Sequence, residues 1–189
     1  TKYVCGSVDG TIFDTSAKGA RSIQLTRITD ERRHDGAITT IDYHPAHVDP
    51  RIAELVLTAS ASEASCRVWC GALSVVLESF TDVVHQAKWS PTQPAVFATA
   101  DASGRISVWN LVTNPVAPVS TAFLRSRIDA NLAVSTETGA DRTHSSVAAL
   151  RLQWDDSGEH LICGTGNGDV HYFDVMDVTG GLHAQEQAS

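Results

Sequence analysis

The sequence predicts an all-β chain assembled from blades of a β-propeller, about three whole blades plus part of another. Three observations carry that prediction. A pattern of strand, turn, strand, turn, strand occurs three times along 189 residues. Each copy closes on an aromatic residue, and the interval from Trp69 to Trp109 is 40 residues, inside the roughly 40–45 of one propeller blade. Turn-forming residues fall at matching places, Ser90-Pro91 and Asp156-Ser157-Gly158 after first strands, Ser103-Gly104 and Asn167-Gly168 after second strands.

The chain opens on a partial repeat. Lys2-Tyr3-Val4-Cys5-Gly6-Ser7, a turn at Asp9-Gly10 and Thr11-Ile12-Phe13 supply the second and third strands of a blade without its first. The first whole repeat places strands in 37–45, 54–60 and 66–69, the second in 83–91, 95–100 and 105–110, and the third in 148–155, 160–165 and 169–174. Outer fourth strands are expected at 21–28, 74–80 and 116–123. Phe173 follows Trp109 by 64 residues, a blade plus an insertion, and the polar stretch 125–144 is read as that insertion, a surface loop. The resulting division is 1–33 partial blade, 34–80, 81–124 and 147–178 blades, 125–146 polar insertion, and 179–189 tail.

Physics favours radial stacking of these units. A four-stranded sheet of such short strands cannot cover both its faces, and neighbouring blades do so for one another. Apolar middle strands, Leu55-Val56-Leu57 and Val96-Phe97-Ala98, suit a position covered on both sides. A β-sandwich explains the alternation but not closing aromatics at blade spacing, and those aromatics are expected to wedge between blades. The WD-type signature is degenerate. The turn acid six residues before the aromatic is Glu63, then Ser103, then Asn167, and only Trp109-Asn110 and Phe173-Asp174 approximate an aromatic-Asp ending. A closed propeller takes at least four blades, so the chain is expected to be part of a longer protein with further blades upstream.

Composition narrows the function classes. With a formal charge of −8 and Arg27, Arg32, Arg33 and His34 interleaved with Asp30, Glu31 and Asp35, the chain lacks the basic face that nucleic acid requires. No run approaches the ~18 apolar residues of a membrane helix. The four cysteines, Cys5, Cys66, Cys70 and Cys163, show no framework spacing, which fits a reducing cytoplasmic interior.

Three apparent chemical motifs dissolve on inspection. Gly164-Thr165-Gly166-Asn167-Gly168 has the wrong glycine spacing for a dinucleotide loop and precedes a strand, so it is read as a hairpin turn. Cys66 and Cys70 have loose zinc-ligand spacing but no second ligand pair. The eight histidines scatter over different repeats and no activated-nucleophile motif is present. No catalytic residue, metal, cofactor or small-molecule substrate is expected.

One family matches the detail of the repeats. Trp89-Ser90-Pro91-Thr92-Gln93-Pro94-Ala95-Val96-Phe97-Ala98, continuing through Gly104-Arg105-Ile106-Ser107-Val108-Trp109-Asn110-Leu111, closely resembles a blade of dynein intermediate chains. Val4-Cys5-Gly6-Ser7-Val8-Asp9-Gly10-Thr11 and His34-Asp35-Gly36-Ala37-Ile38-Thr39 resemble two further stretches of that WD-repeat family. The resemblance runs in order over most of 3–175. It departs at 125–144 and at the 62–65 turn, which lacks the family's usual Asp and Trp.

The resemblance implies a non-enzymatic scaffold whose propeller docks on the dynein heavy chain and links it to cargo or to other dynein subunits. It implies a cytoplasmic, microtubule-associated setting, with axoneme or cilium as variants. The rival of the same class is a WD-repeat adaptor of another assembly, such as a ubiquitin ligase or chromatin complex; the rival of another class is a propeller enzyme. Docking surfaces on rigid frames are built from loops, which points to the turns carrying Arg32, Arg33, Asp35, Glu63, Asp101 and Arg105.

Overall fold

The computed structural model describes residues 2–17, 23–27, 33–45, 48–71, 73–124, 147–175 and 182–185. Among these, every regular element except one 3-10 turn, Pro50–Ile52, is a β-strand. The strands form one three-stranded and three four-stranded antiparallel sheets, so the sequence expectation of three whole blades and a partial one holds. The first sheet contains β1 (Lys2–Gly6), β2 (Ile12–Ala17) and β3 (Ile23–Arg27). The second contains β4 (Ile38–Tyr43), β5 (Leu55–Ser60), β6 (Cys66–Cys70) and β7 (Leu73–Leu77). The third contains β8 (Val84–Trp89), β9 (Val96–Asp101), β10 (Arg105–Asn110) and β11 (Ser120–Phe123). The fourth contains β12 (Ala149–Trp154), β13 (His160–Thr165), β14 (Val170–Val175) and β15 (Leu182–Gln185).

Within each sheet the strands follow sequence order, the simple meander that antiparallel hairpins produce. The last outer strand, β15, lies within 179–189, where the sequence predicts a tail, and it pairs with β14 from Tyr172–Gln185 to Val175–Leu182. The expected insertion at 125–146 lies outside the described residues. Each four-stranded sheet begins with the same defect, a register shift between Ile38 and Thr40, Val84 and Gln86, and Ala149 and Arg151. Such a bulge bends a strand and sharpens its twist, and here it recurs at the start of each innermost strand.

Side chains tie the innermost strands β4, β8 and β12 to one another. The Thr39 hydroxyl donates to the Val84 carbonyl at 2.8 Å, and Asp42 accepts from Lys88 Nζ at 2.7 Å and from the Trp89 N–H at 2.8 Å. On the other side Gln86 Oε1 accepts from the Leu152 N–H at 2.7 Å, and Trp154 Nε1 donates to the Lys88 carbonyl at 3.1 Å.

The core lies in the seams between sheets. Trp69 packs with Ile12 and Val56, against Val4. Trp109 of the third sheet lies in a cluster with Leu57, Ala59, Cys66, Val68 and Leu77 of the second. Phe173 of the fourth joins Val96, Ala98, Ala100, Ile106 and Val108 of the third. Each closing aromatic thus wedges against the preceding blade, as the repeat spacing predicts.

In each of the three connections from one sheet to the next, one residue meets that wedge. His34 lies 6.5 Å from Trp69, ring to ring, and Phe80 lies 5.1 Å from Trp109. Leu124 shares the cluster of Phe173. A matching bond marks the slot, since the His34 and Leu124 N–H groups donate to the Gly10 and Gly104 carbonyls. Gly104 has φ +79, and a Cβ there would collide with the Val147 carbonyl oxygen, so only glycine lets the two backbones meet.

Candidate functional site

Antiparallel order places turns alternately at the two ends of each sheet. The connections 33–37 and 79–83 therefore share one rim with the β5–β6 and β9–β10 turns. Backbone bonds join them there, Ala61 N–H to the Ala37 carbonyl at 2.8 Å and Ala102 N–H to the Val83 carbonyl at 2.9 Å. Arg33, Asp35, Glu63, Asp101 and Arg105 all stand on this rim, while Arg32 lies outside the described residues.

The richest chemistry on the rim surrounds Glu63. Its carboxylate accepts from the Asp35 N–H, from the Ser65 hydroxyl at 2.7 Å and from Arg67 Nη2 at 3.1 Å. His34 Nδ1 is 3.3 Å from it, and His34 Nε2 is 2.8 Å from the Thr58 hydroxyl. Trp69 Nε1 donates to that same hydroxyl at 2.8 Å. A carboxylate only accepts, so the proton sits on His34 Nδ1. The neutral ring then accepts from Thr58 through Nε2, and the hydroxyl accepts from the indole. One directional chain runs from Trp69 to Thr58 to His34 to Glu63.

The charge states fit this order. Burial pushes the His34 imidazole below its ordinary value, more than the Glu63 carboxylate raises it. For Glu63, burial raises the pKa, but the Asp35 N–H, the Ser65 hydroxyl and the cationic and polar groups of His34 and Arg67 outweigh it and bring the group down to about 2.

The chain of acid, histidine and hydroxyl superficially matches a hydrolytic triad. His34 and Thr58 are both fully buried, and each of their polar atoms in the chain is already spent on a neighbour. No substrate reaches Thr58. The arrangement is a stability device, joining two sheets through the first wedge.

The other predicted residues divide by orientation. Asp101 is buried, and its carboxylate accepts from the Ser103 N–H at 3.0 Å, the Ser103 hydroxyl at 2.6 Å and the Arg105 N–H at 3.0 Å, closing the β9–β10 turn. Arg105 is half-buried and donates to the Ser79 carbonyl at 3.3 Å. Arg33 and Asp35 are exposed. Two valines on the same rim escaped the sequence reading, Val8 at 84% exposure and Val170 at 71%. The signal was an apolar residue inside or beside a polar turn.

Among the described residues, no group of three metal-ligating side chains converges. Cys66 is buried, with its thiol on the Thr58 carbonyl at 3.2 Å, whereas Cys70 is exposed. The 164–168 glycine stretch ends β13 and forms the turn into β14, with Gly168 at φ +91.

No family model matches the chain. It is 30% identical over 177 residues to the cytoplasmic dynein 1 intermediate chain of Drosophila melanogaster, covering 92% of this chain and 23% of that protein. It is 36% identical over 69 residues to the cytoplasmic dynein 2 intermediate chain 1 of Mus musculus, covering 36% of this chain and 7% of that one. The chain thus spans less than a quarter of the length of either relative. Among solved structures, a chain of a mitotic checkpoint complex superposes with TM-score 0.70 at 14% identity, over 98% of this chain and 49% of its own length. A β-propeller domain from Myceliophteria thermophila gives TM-score 0.64 at 20% identity, over 98% and 52%. At such identities the structural likeness concerns the fold, a WD-repeat β-propeller.

Proposed function

The chain belongs to the dynein intermediate chain branch of the WD-repeat β-propellers, and from that premise we propose that it is a non-catalytic scaffold docking on the dynein heavy chain. In this reading it links the heavy chain to cargo or to the rest of the complex during microtubule-based movement in the cytoplasm. The observation that carries the reading is the sequence match to a cytoplasmic dynein intermediate chain along 92% of the chain.

The geometry is compatible with such a role. The rim presents Arg33, Asp35 and Val8 on short connections held by backbone bonds, so a partner can be gripped without rearranging the sheets. Glu63, Asp101 and Arg105 are occupied internally and Arg32 lies outside the described residues, so of the six, Arg33 and Asp35 are the described ones whose side chains face solvent.

Affinity isolation of the intact protein from native lysate, followed by mass spectrometry, tests the proposal. Dynein heavy chain is expected among the recovered proteins, and its recovery should fall in a variant carrying Arg33→Glu and Asp35→Lys. Isolation that recovers no dynein subunit overturns the scaffold reading. Normal recovery with the double variant overturns the rim assignment alone.

A further inference from the structure

On the face turned away from its wedge, the fourth sheet carries a histidine where the second and third carry an aliphatic residue. Cross-strand register aligns the three sheets on their closing aromatics, Val56–Trp69, Phe97–Trp109 and Leu161–Phe173. The pair beside each is Leu55–Cys70, Val96–Asn110 and His160–Asp174. In the second and third sheets this position holds an aliphatic side chain packed into the next seam. In the fourth it holds an imidazole.

His160 stands between two carboxylates from different elements. Its Nδ1 is 2.7 Å from Asp155 Oδ2 in the β12–β13 turn, and its Nε2 is 3.5 Å from Asp174 Oδ1 on β14. The Tyr172 ring stacks on it at 5.1 Å. Asp155 also accepts from the His160 N–H at 3.1 Å, the Glu159 N–H at 3.2 Å and the Ser157 hydroxyl at 2.6 Å, so it organises the whole turn. Only a doubly protonated ring donates to both carboxylates at once. A neutral ring leaves one carboxylate facing a lone pair.

We propose that His160 is a proton-operated tie, which in its charged form joins the β12–β13 turn to β14 and releases that link when it loses its proton. Among the described residues, the ionisable groups facing it are Asp155 and Glu159 from the turn and Asp174 and Tyr172 from β14, and in the β14–β15 register position 183, a histidine, stands opposite Asp174. The Asp155 hydrogen bond, opposed by burial and aided by the charges of Asp155, Asp174 and Glu159, raises the His160 pKa above 6.5. A raised value means the tie is complete below the ordinary pKa and is lost as pH climbs through the folded one. A sheet packed on this face therefore meets an ionic surface that changes as the ring titrates, where the equivalent positions of the second and third sheets present leucine or valine.

Hydrogen exchange of the intact protein from pH 6 to 8.5, corrected for intrinsic exchange, tests this. Amides at 155–163 should lose protection several-fold across the range while amides at 96–101 hold theirs. His160→Leu, which restores the aliphatic type found in the other sheets, should make the 155–163 response flat. Asp174→Asn should move the loss to lower pH, and it serves if the leucine variant does not fold. A flat wild-type response, or the same response in His160→Leu, overturns the proposal.

Discussion

Replacing Trp109 by alanine is expected to remove the wedge between the second and third sheets. The ring is fully buried. It stacks on Phe97 with centroids 5.7 Å apart and planes 5° from parallel, lies 5.1 Å from Phe80, and donates Nε1–H to the Thr99 hydroxyl at 3.3 Å. Truncating a buried aromatic to alanine costs about 3–5 kcal/mol. Trp109→Phe keeps a stacked ring but loses the hydrogen bond and part of the volume, for about 1–2 kcal/mol. Val112→Ala, at a site 84% exposed, should stay within about 0.5 kcal/mol. Denaturant-dependent hydrogen exchange of the intact protein, read at amides 96–110, gives the three values on one scale. The expected order is alanine, then phenylalanine, then the surface control. If Trp109→Ala costs no more than Val112→Ala, the wedge assignment is wrong.

The remaining predictions follow the same logic. Gly104→Ala should destabilise by more than about 1 kcal/mol, because it adds a backbone collision to the positive φ; Gly71→Ala, at φ +59 with open space around it, should cost less in the same thermal melt, and equal losses would refute the collision. Glu63→Gln should lower the melting temperature most at neutral pH. A carboxylate depressed by folding loses its contribution as pH falls through the folded value, so the gap between variant and wild type should close from about 4.5 towards about 2, and a gap that ignores pH would contradict the network. For the thiols, burial raises the Cys66 pKa and pushes Cys163 up to about 12, while Cys5 and Cys70 are exposed. A maleimide should therefore label Cys5 and Cys70 in the folded protein and reach Cys66 and Cys163 only after unfolding, as peptide mapping will show.

The repeat was legible because it rests on residue type at fixed spacing. Trp69, Trp109 and Phe173 are large and apolar because a sheet needs cover from its neighbour, and the blade-length interval from Trp69 to Trp109 is plain although the surrounding signature is degenerate. The inner partners were harder to see. His34 meets Thr58 and Glu63 across 24 and 29 residues, and linear spacing does not say whether a turn carboxylate points outward or in. Glu63 and Asp101 read as docking acids for that reason; Asp101 is engaged in its own turn and Glu63 with His34, Asp35 and Arg67 as well. Leu182–Gln185 was missed because Leu-His-Ala-Gln has little strand character of its own; it is a strand through its pairing with β14. The 116–123 strand shortened to Ser120–Phe123 because Asn114 caps a turn through the Val116 and Ala117 N–H groups.

The three wedges also bear on how such a repeat changes over evolutionary time. At Trp69 the wedge is bound into His34, Thr58 and Glu63. At Trp109 one of these bonds remains, to Thr99, and a phenylalanine has taken the histidine slot. At Phe173 the positions matching Thr58 and His34 are Cys163 and Leu124, both apolar. A hydrogen-bonded set resists single substitutions, because each change orphans a buried partner. An apolar set drifts in small steps of volume, each of them tolerable. Substitution can therefore proceed one residue at a time around Phe173 while the set around Trp69 stays locked, and the seam residues of the two blades are free to change at different rates within one architecture.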